Sequence, residues 1–374
     1  MTRRDLIQET AGAMAGIAFV GCGPLTASPG YAQAPSATTA PAGRREVMVG
    51  GRRVKTIDVH AHCAVSEAMA LMGLKLGAPG SQFPPVLHMA TQVTERLRAM
   101  DEQGIDVEAL SINPYWYTAD RDVAARLITL QNEKLAEACA VHPDRFVAFA
   151  SVALQHPELA AEQLETGVKQ YGLRGAGIGG SVNGQELSDV RFHPFWAKAE
   201  QLGVPVFIHP QGTGVASQIG DRLKGNGLLD NVIGNPLETT IALSHLIFEG
   251  TLDRFPGLKI CAAHGGGYLP SYAGRSDQGC KVFPDRCGPK DGPLRKKPTE
   301  YLRQMYYDTL VFTPEGLRHL AAEVGSSQLV IGTDYPYPWT STAIDHVLAM
   351  PGLSDAERAA VLGGTAAKLL GIKA

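Results

Sequence analysis

The chain has 374 residues, with 34 Lys and Arg against 37 Asp and Glu, a formal net charge of −3, and 44% hydrophobic residues. So even a balance gives no electrostatic case for nucleic acid or a membrane surface as partner. The apolar share is enough for a sizeable core, and the length allows one large α/β domain or two smaller ones.

The first residues do not read as fold. Arg3-Arg4 is a twin arginine, followed by a small and apolar stretch from Ala11 to Val20. Ala32-Gln33-Ala34 offers a small-residue cleavage site, and a spacer rich in Pro, Ala, Ser and Thr runs on to about Ala42. This is the layout of a twin-arginine export signal over residues 1–34, with a disordered spacer over 35–50, and it points to a periplasmic or secreted protein. The alternative is lipid attachment at Cys22. The apolar run is too short to span a bilayer stably. No CxxC spacing supports a structural zinc ribbon. Cys280 and Cys287 lie in one loop, where an oxidising compartment allows a disulfide and a free pair is equally open.

From residue 51 to 374 the pattern alternates between short apolar runs and longer stretches of helical period. The strands read as Thr56–His60, Glu108–Ile112, Phe146–Ala150, Gly175–Gly179, Pro205–His209, Lys259–His264, Met305–Asp308 and Leu329–Thr333. Helical patterns between them include Gln92–Gln103, Ala119–Val141, Pro157–Tyr171, Pro194–Leu202, Pro236–Phe255 and Pro314–Val324. Several of these open on Pro or Asp, as helix starts do. Eight strands, each followed by a helix, predict an α/β chain folded as a (β/α)8 TIM barrel. The alternative, an open doubly wound sheet, lacks a GxGxxG after the first strand.

In a barrel, chemistry gathers at the C-terminal ends of the strands. His60 and His62 end strand one and share a face, because strand side chains two apart point the same way. His209 ends strand five, His264 ends strand six, and Asp334 follows strand eight. Three histidines, a carboxylate and a water suit one catalytic Zn²⁺, and other divalent ions accept the same donors. His60, His62, His209 and Asp334 are therefore the expected metal ligands. An ion so held lowers the pKa of a bound water toward about 7. His264, with Asp334, would then work on that water and on the reacting group. Tyr115, Trp116 and Tyr117 follow strand two, and Tyr337 and Trp339 follow strand eight. There they would either stack on a flat conjugated substrate or simply cover the rim. Trp116 and Tyr337 are the substrate-binding candidates among them.

Asp58-Val59-His60-Ala61-His62, Asn235-Pro236-Leu237-Glu238-Thr239-Thr240, Ser244-His245-Leu246-Ile247-Phe248, His264-Gly265-Gly266-Gly267 with Gly274-Arg275, and Gly332-Thr333-Asp334-Tyr335-Pro336 belong together. In them the chain from about Lys55 to Ala374 resembles the amidohydrolase superfamily. More narrowly it resembles amidohydrolase family 2, the branch typified by aminocarboxymuconate-semialdehyde decarboxylase. The resemblance implies a barrel of the metal-dependent hydrolase type with the ligand set above. It implies that Arg275 reaches a neighbouring subunit's site and holds a substrate carboxylate, and hence a homodimer. Two-metal members carry a lysine at the end of strand four. Here that strand reads Leu173-Arg174-Gly175-Ala176-Gly177-Ile178, which favours one metal. One departure stands out. The branch has a second carboxylate-binding arginine after strand one, whereas this chain has no arginine between Met69 and Glu95, only Lys75. A lysine cannot copy the paired hydrogen bonds of an arginine. The implied activity is decarboxylation of an aromatic or conjugated carboxylic acid. The alternative is hydrolysis of a lactone, ester, amide or ring-cleavage product through the same activated water.

Overall fold

The structure, a computed structural model, describes residues 43–78, 83–211 and 218–373. The expected export signal, its cleavage site, Cys22 and most of the spacer lie outside the described residues. Eight short parallel strands close into a barrel. They are β1 (Ile57–His62), β2 (Val107–Ser111), β3 (Phe146–Ala148), β4 (Ala176–Ile178), β5 (Pro205–Ile208), β6 (Lys259–Ala262), β7 (Tyr306–Asp308) and β8 (Leu329–Val330). β1 pairs with β2, and β2 with β3. β4 to β8 form a second parallel run. Single bridges join the two runs, from Ala150 to Ala176 on one side and from Asp58 to Ile331 and Ala61 to Tyr335 on the other. The fold is the expected TIM barrel, with strands shorter than their apolar runs because the ends splay into loops.

The strands are buried along nearly their whole length, as parallel strands covered on both faces are. Ile57, Val59, Val107, Phe149, Phe207, Cys261 and Val330 pack inside the barrel. Leu110, Ala148, Ile178, Val206, Ile208, Ile260 and Tyr307 belong to the outer layer that meets the helices. The register of β1 shifts between Asp58 and Ala61. A bulge re-aims the side chains that follow it. Val59 thus lies in the inner layer, and so does His60, whose ring is 5.1 Å from that of Phe207. The shift is what turns His60 and His62 into the barrel mouth.

The helices used below are α1 (Met89–Gln103), α2 (Arg121–Val141), α3 (Pro157–Lys169), α4 (His193–Leu202), α5 (Asn235–Phe248), α6 (Gly274–Val282), α7 (Pro314–Val324) and α8 (Thr365–Leu370). Asp120 and Thr313 cap α2 and α7 by accepting bonds from Val123 N and Gly316 N. The single helix expected over Pro236–Phe255 is broken. α5 ends at Phe248, and Gly250 turns left-handed at φ 77° before a short turn over Thr251–Arg254. α8 closes the floor, packing Ala366, Ala367, Leu369 and Leu370 against the inner layer.

The spacer expected to reach residue 50 is corrected at its end. Val47 and Val49 are buried, Met48–Val49 pairs with Arg52–Arg53, and Arg45 Nη1 donates to Asp345 Oδ2 at 2.9 Å. Alternating valines there found apolar cover that composition alone did not reveal. Cys280 and Cys287 are joined by a disulfide. Among the described residues, no helix is long and apolar enough to cross a membrane.

Candidate metal centre and active site

Four side chains from β1, the end of β5 and the end of β8 meet at the mouth. One donor atom each from His60, His62, His209 and Asp334 lies within 4.8 Å of all the others, and all four residues are buried. His60 Nε2 is 3.0 Å from His62 Nε2. Asp334 Oδ1 is 3.2 Å from His60 Nε2 and 2.8 Å from His62 Nε2. Ligands bonded to one ion at about 2.0–2.2 Å stand roughly 3 Å apart, so these spacings are those of a shared coordination sphere. His209 makes the same point differently. Both its ring nitrogens are buried without a hydrogen-bond partner among the described residues. Buried polar groups are almost always satisfied, and a cation would satisfy this one. The residues fit the metal expected of them.

The surroundings fix the tautomers. His60 Nδ1 donates to Asp308 Oδ2 at 2.7 Å, which leaves Nε2 for an ion. His62 Nδ1 is 3.3 Å from Ser111 Oγ. Asp58, on β1, accepts from His60 N at 2.9 Å, Thr333 N at 3.2 Å and Thr333 Oγ1 at 2.5 Å. It thereby pins the end of β8 to β1 where the barrel closes. Arg96 on α1 donates to Glu108 Oε2 at 2.7 Å and to the His62 carbonyl oxygen.

Electrostatics sort the histidines. Burial pulls the His62 imidazole down to about 4, despite the neighbouring Asp334. Burial, with the surrounding histidines, holds His209 well below its usual range. Both are therefore neutral at physiological pH, as ligands must be. Burial also opposes the charge on His60, but Asp334 and Asp308 outweigh it and raise it to about 10. Burial would raise the Asp334 carboxyl, yet His60 and His264 hold it well below the usual carboxylate range.

His264 stands beside this set without joining it. Its Nε2 is 3.5 Å from Asp334 Oδ2, and its Nδ1 has no hydrogen-bond partner among the described residues. His264 and Asp334 are both left-handed, at φ 54° and 61°. Such backbone costs about 1–3 kcal/mol per residue and collects at working sites. Gly267, also left-handed, lies where a Cβ would sit 2.1 Å from the Pro236 carbonyl oxygen, so only glycine lets this loop press against α5. Beside His264 opens a cleft of about 420 Å³ with Val232, Pro236, Tyr268, Phe312 and Trp339 in its wall.

The substrate-binding expectations fare unevenly. The Tyr337 ring is 5.7 Å from that of His62, at the mouth. Trp116 is corrected: it is fully buried, and its Nε1 donates to the Val152 carbonyl oxygen at 2.9 Å. An aromatic after a strand can turn into the shell as readily as into the mouth, and the strand pattern does not say which. Arg275, on α6, is exposed, and its guanidinium lies 6.0 Å from the Tyr272 ring. It forms no ion pair among the described residues and is not part of the cluster on its own chain. Asp308 and Phe312 went unread in the sequence. Asp308 was discoverable, since it is a carboxylate closing a barrel strand.

The sequence profile of the amidohydrolase family matches residues 57–372. The chain is 31% identical over 280 residues to 2-amino-3-carboxymuconate-6-semialdehyde decarboxylase of Dictyostelium discoideum, covering 74% of this chain and 76% of that one. Its backbone matches 5-carboxyvanillate decarboxylase from Sphingomonas paucimobilis with a TM-score of 0.76 at 26% identity, over 86% of this chain and 100% of the other. It also matches a dihydroxybenzoic acid decarboxylase from Polaromonas sp. JS666, solved with bound manganese and the inhibitor 2-nitroresorcinol. There the TM-score is 0.73 at 28% identity, over 85% of this chain and 97% of the other.

Proposed function

The chain belongs to the amidohydrolase family, and from that premise we propose that it is a metal-dependent decarboxylase of an aromatic or conjugated carboxylic acid. The observation that carries the reading is the double position of His264. It forms part of the wall of the cleft and lies 3.5 Å from the ligand Asp334. A proton donor so placed faces both the metal centre and whatever ring fills the cleft.

His60, His62, His209 and Asp334 would hold one divalent ion. When bound, it supplies Lewis acidity toward a carboxylate or water in the mouth. The remaining work falls to the chain. Phe312, Trp339, Val232 and Pro236 offer apolar and aromatic wall to a flat ring and exclude water. His264 delivers a proton to the ring carbon that bears the carboxylate. The electron pair of the carbon–carboxylate bond then returns to the ring, and CO2 departs. Zinc and manganese both accept this donor set, and the manganese of the Polaromonas relative makes each a candidate.

We extend the proposal to assembly and location. A partner copy would bring its own Arg275 to the mouth, in keeping with the exposed position of that residue on α6, where it forms no ion pair among the described residues. Export through the twin-arginine leader to a periplasmic or extracellular site agrees with the Cys280–Cys287 disulfide.

The hydrolase reading draws on one observation. Between Met69 and Glu95 the sequence has one Lys or Arg, Lys75, and it is exposed, so the second carboxylate clamp of the branch has no counterpart in that stretch. The test is incubation of the protein, loaded with zinc or with manganese, with hydroxylated benzoic acids and conjugated acids beside lactones and esters. Release of CO2 is expected. Products that gain water without CO2 would move the chain to the hydrolases.

A further inference from the structure

We propose that Asp308 is a positioning residue that ties metal retention to the placement of His264. The carboxylate closes β7 and is fully buried between β1 and the loop after β6. Its Oδ2 accepts from His60 Nδ1 at 2.7 Å and from His264 N at 2.8 Å. Its Oδ1 accepts from Gly265 N at 2.9 Å and Leu310 N at 3.1 Å. One anion thus holds a metal ligand by its ring and the proton donor by its backbone.

The loop is shaped around that anion. His264, Gly265, Gly266 and Gly267 are left-handed in succession, at φ 54°, 62°, 78° and 66°. Consecutive amides in such a turn converge on negative charge. The two amides facing Asp308 come from the first two residues of the run. His264 carries a Cβ, so its left-handed backbone persists only where its surroundings fix it. A Cβ at Gly265 would meet Val311 Cγ1 at 2.5 Å, which shows how closely the loop lies against the strand-seven side. Room for the carboxylate is made just after β8, where a Cβ at Gly332 would fall 2.7 Å from Asp308 Cβ. Three strands converge on one side chain. Loss of its charge frees His60 to turn and the His264 loop to relax together, and that coupling separates this role from ordinary packing.

The inference rests on the reading of His264 as the proton donor, and its test needs no turnover. In Asp308→Asn, the zinc dissociation constant, measured by competition with a chromophoric chelator, should rise about 10–100-fold, the usual effect of losing a ligand's outer partner. In the zinc-loaded protein, acylation of His264 by diethyl pyrocarbonate, followed by peptide mass spectrometry, should speed up several-fold. Asp58→Asn serves as the matched loss of a buried carboxylate. It should lower the melting temperature without changing His264 labelling, because Asp58 does not touch that loop. If Asp308→Asn does not fold, Gly332→Ala displaces the carboxylate without removing it and should move both readouts in the same directions. Wild-type zinc affinity together with wild-type labelling in the folded variant would reduce Asp308 to a structural residue. Absence of CO2 release from the wild type would overturn the decarboxylase reading and leave these two measurements unaffected.

Discussion

His62 Nε2 and Asp334 Oδ1 stand 2.8 Å apart, yet Asp334 Oδ1 accepts no hydrogen bond among the described residues. Two donor atoms this close without a hydrogen bond between them, in a cluster of four such donors, suit ligands of one ion. Asp334→Ala is therefore expected to weaken divalent-metal binding more than about 100-fold, beyond the loss typical of an outer partner. Metal analysis after dialysis against a weak chelator measures it. An alanine variant that keeps one equivalent of metal would remove Asp334 from the ligand set.

His264 answers to the opposite expectation. It lies outside the ligand cluster but in the wall of the cleft. His264→Ala should keep its metal and lose turnover by about 10²–10⁴-fold, the contribution of a placed acid–base group. Metal content and kcat measured on the same preparation separate the two effects. Loss of metal would make His264 a ligand.

Much of this site was legible because barrel chemistry has a fixed address. His60, His62, His209, His264 and Asp334 all follow from asking which strand ends carry donors. The address fails for side chains that loops re-aim. Trp116 satisfies the rule and yet turns into the shell, where its indole N–H finds the Val152 carbonyl. Asp308 satisfies it too, but no spacing shows what it binds: the three glycines after His264 announce a sharp turn, and only the structure shows two amides of that turn, Leu310 N and the His60 ring meeting on the carboxylate. Nor does any spacing announce the register shift in β1, which only the paired neighbour strand reveals.

Proton release on metal loading tests the electrostatics. Without metal, His60 sits at about 10 and His62 at about 4, with His209 lower than usual. At pH 7.5, then, His60 alone among the three carries an extra proton, and binding through its Nε2 expels it. About one proton per ion should appear from the ligands. Any further proton comes from water that ionises on the metal. Titration with zinc in weakly buffered indicator solution counts them. Release of none would show that His60 is already neutral and that Asp308 and Asp334 do not hold its charge.

Beneath the mouth, Arg96 and Glu108 form an ion pair in which each side chain is only 1% exposed. Burial raises the Glu108 carboxyl, and Arg96, with a smaller pull from Arg145, offsets only part of that rise. Arg96→Met removes the paired counter-charge and leaves a buried carboxylate with only the more weakly acting Arg145 charge, at an expected cost of about 3–5 kcal/mol. The sign of the pH dependence follows. Without Arg96, Glu108 binds its proton more tightly in the folded chain than in the unfolded one. The variant is then most stable at acidic pH and loses stability as pH rises through the raised value. Adding Glu108→Gln to Arg96→Met should recover part of the loss and flatten that slope, because no charge is left to bury. Urea unfolding of the three proteins at pH 5.5 and pH 8 decides it. An Arg96→Met deficit of equal size at both pH values would place the cost in lost packing and in the bond to the His62 carbonyl instead.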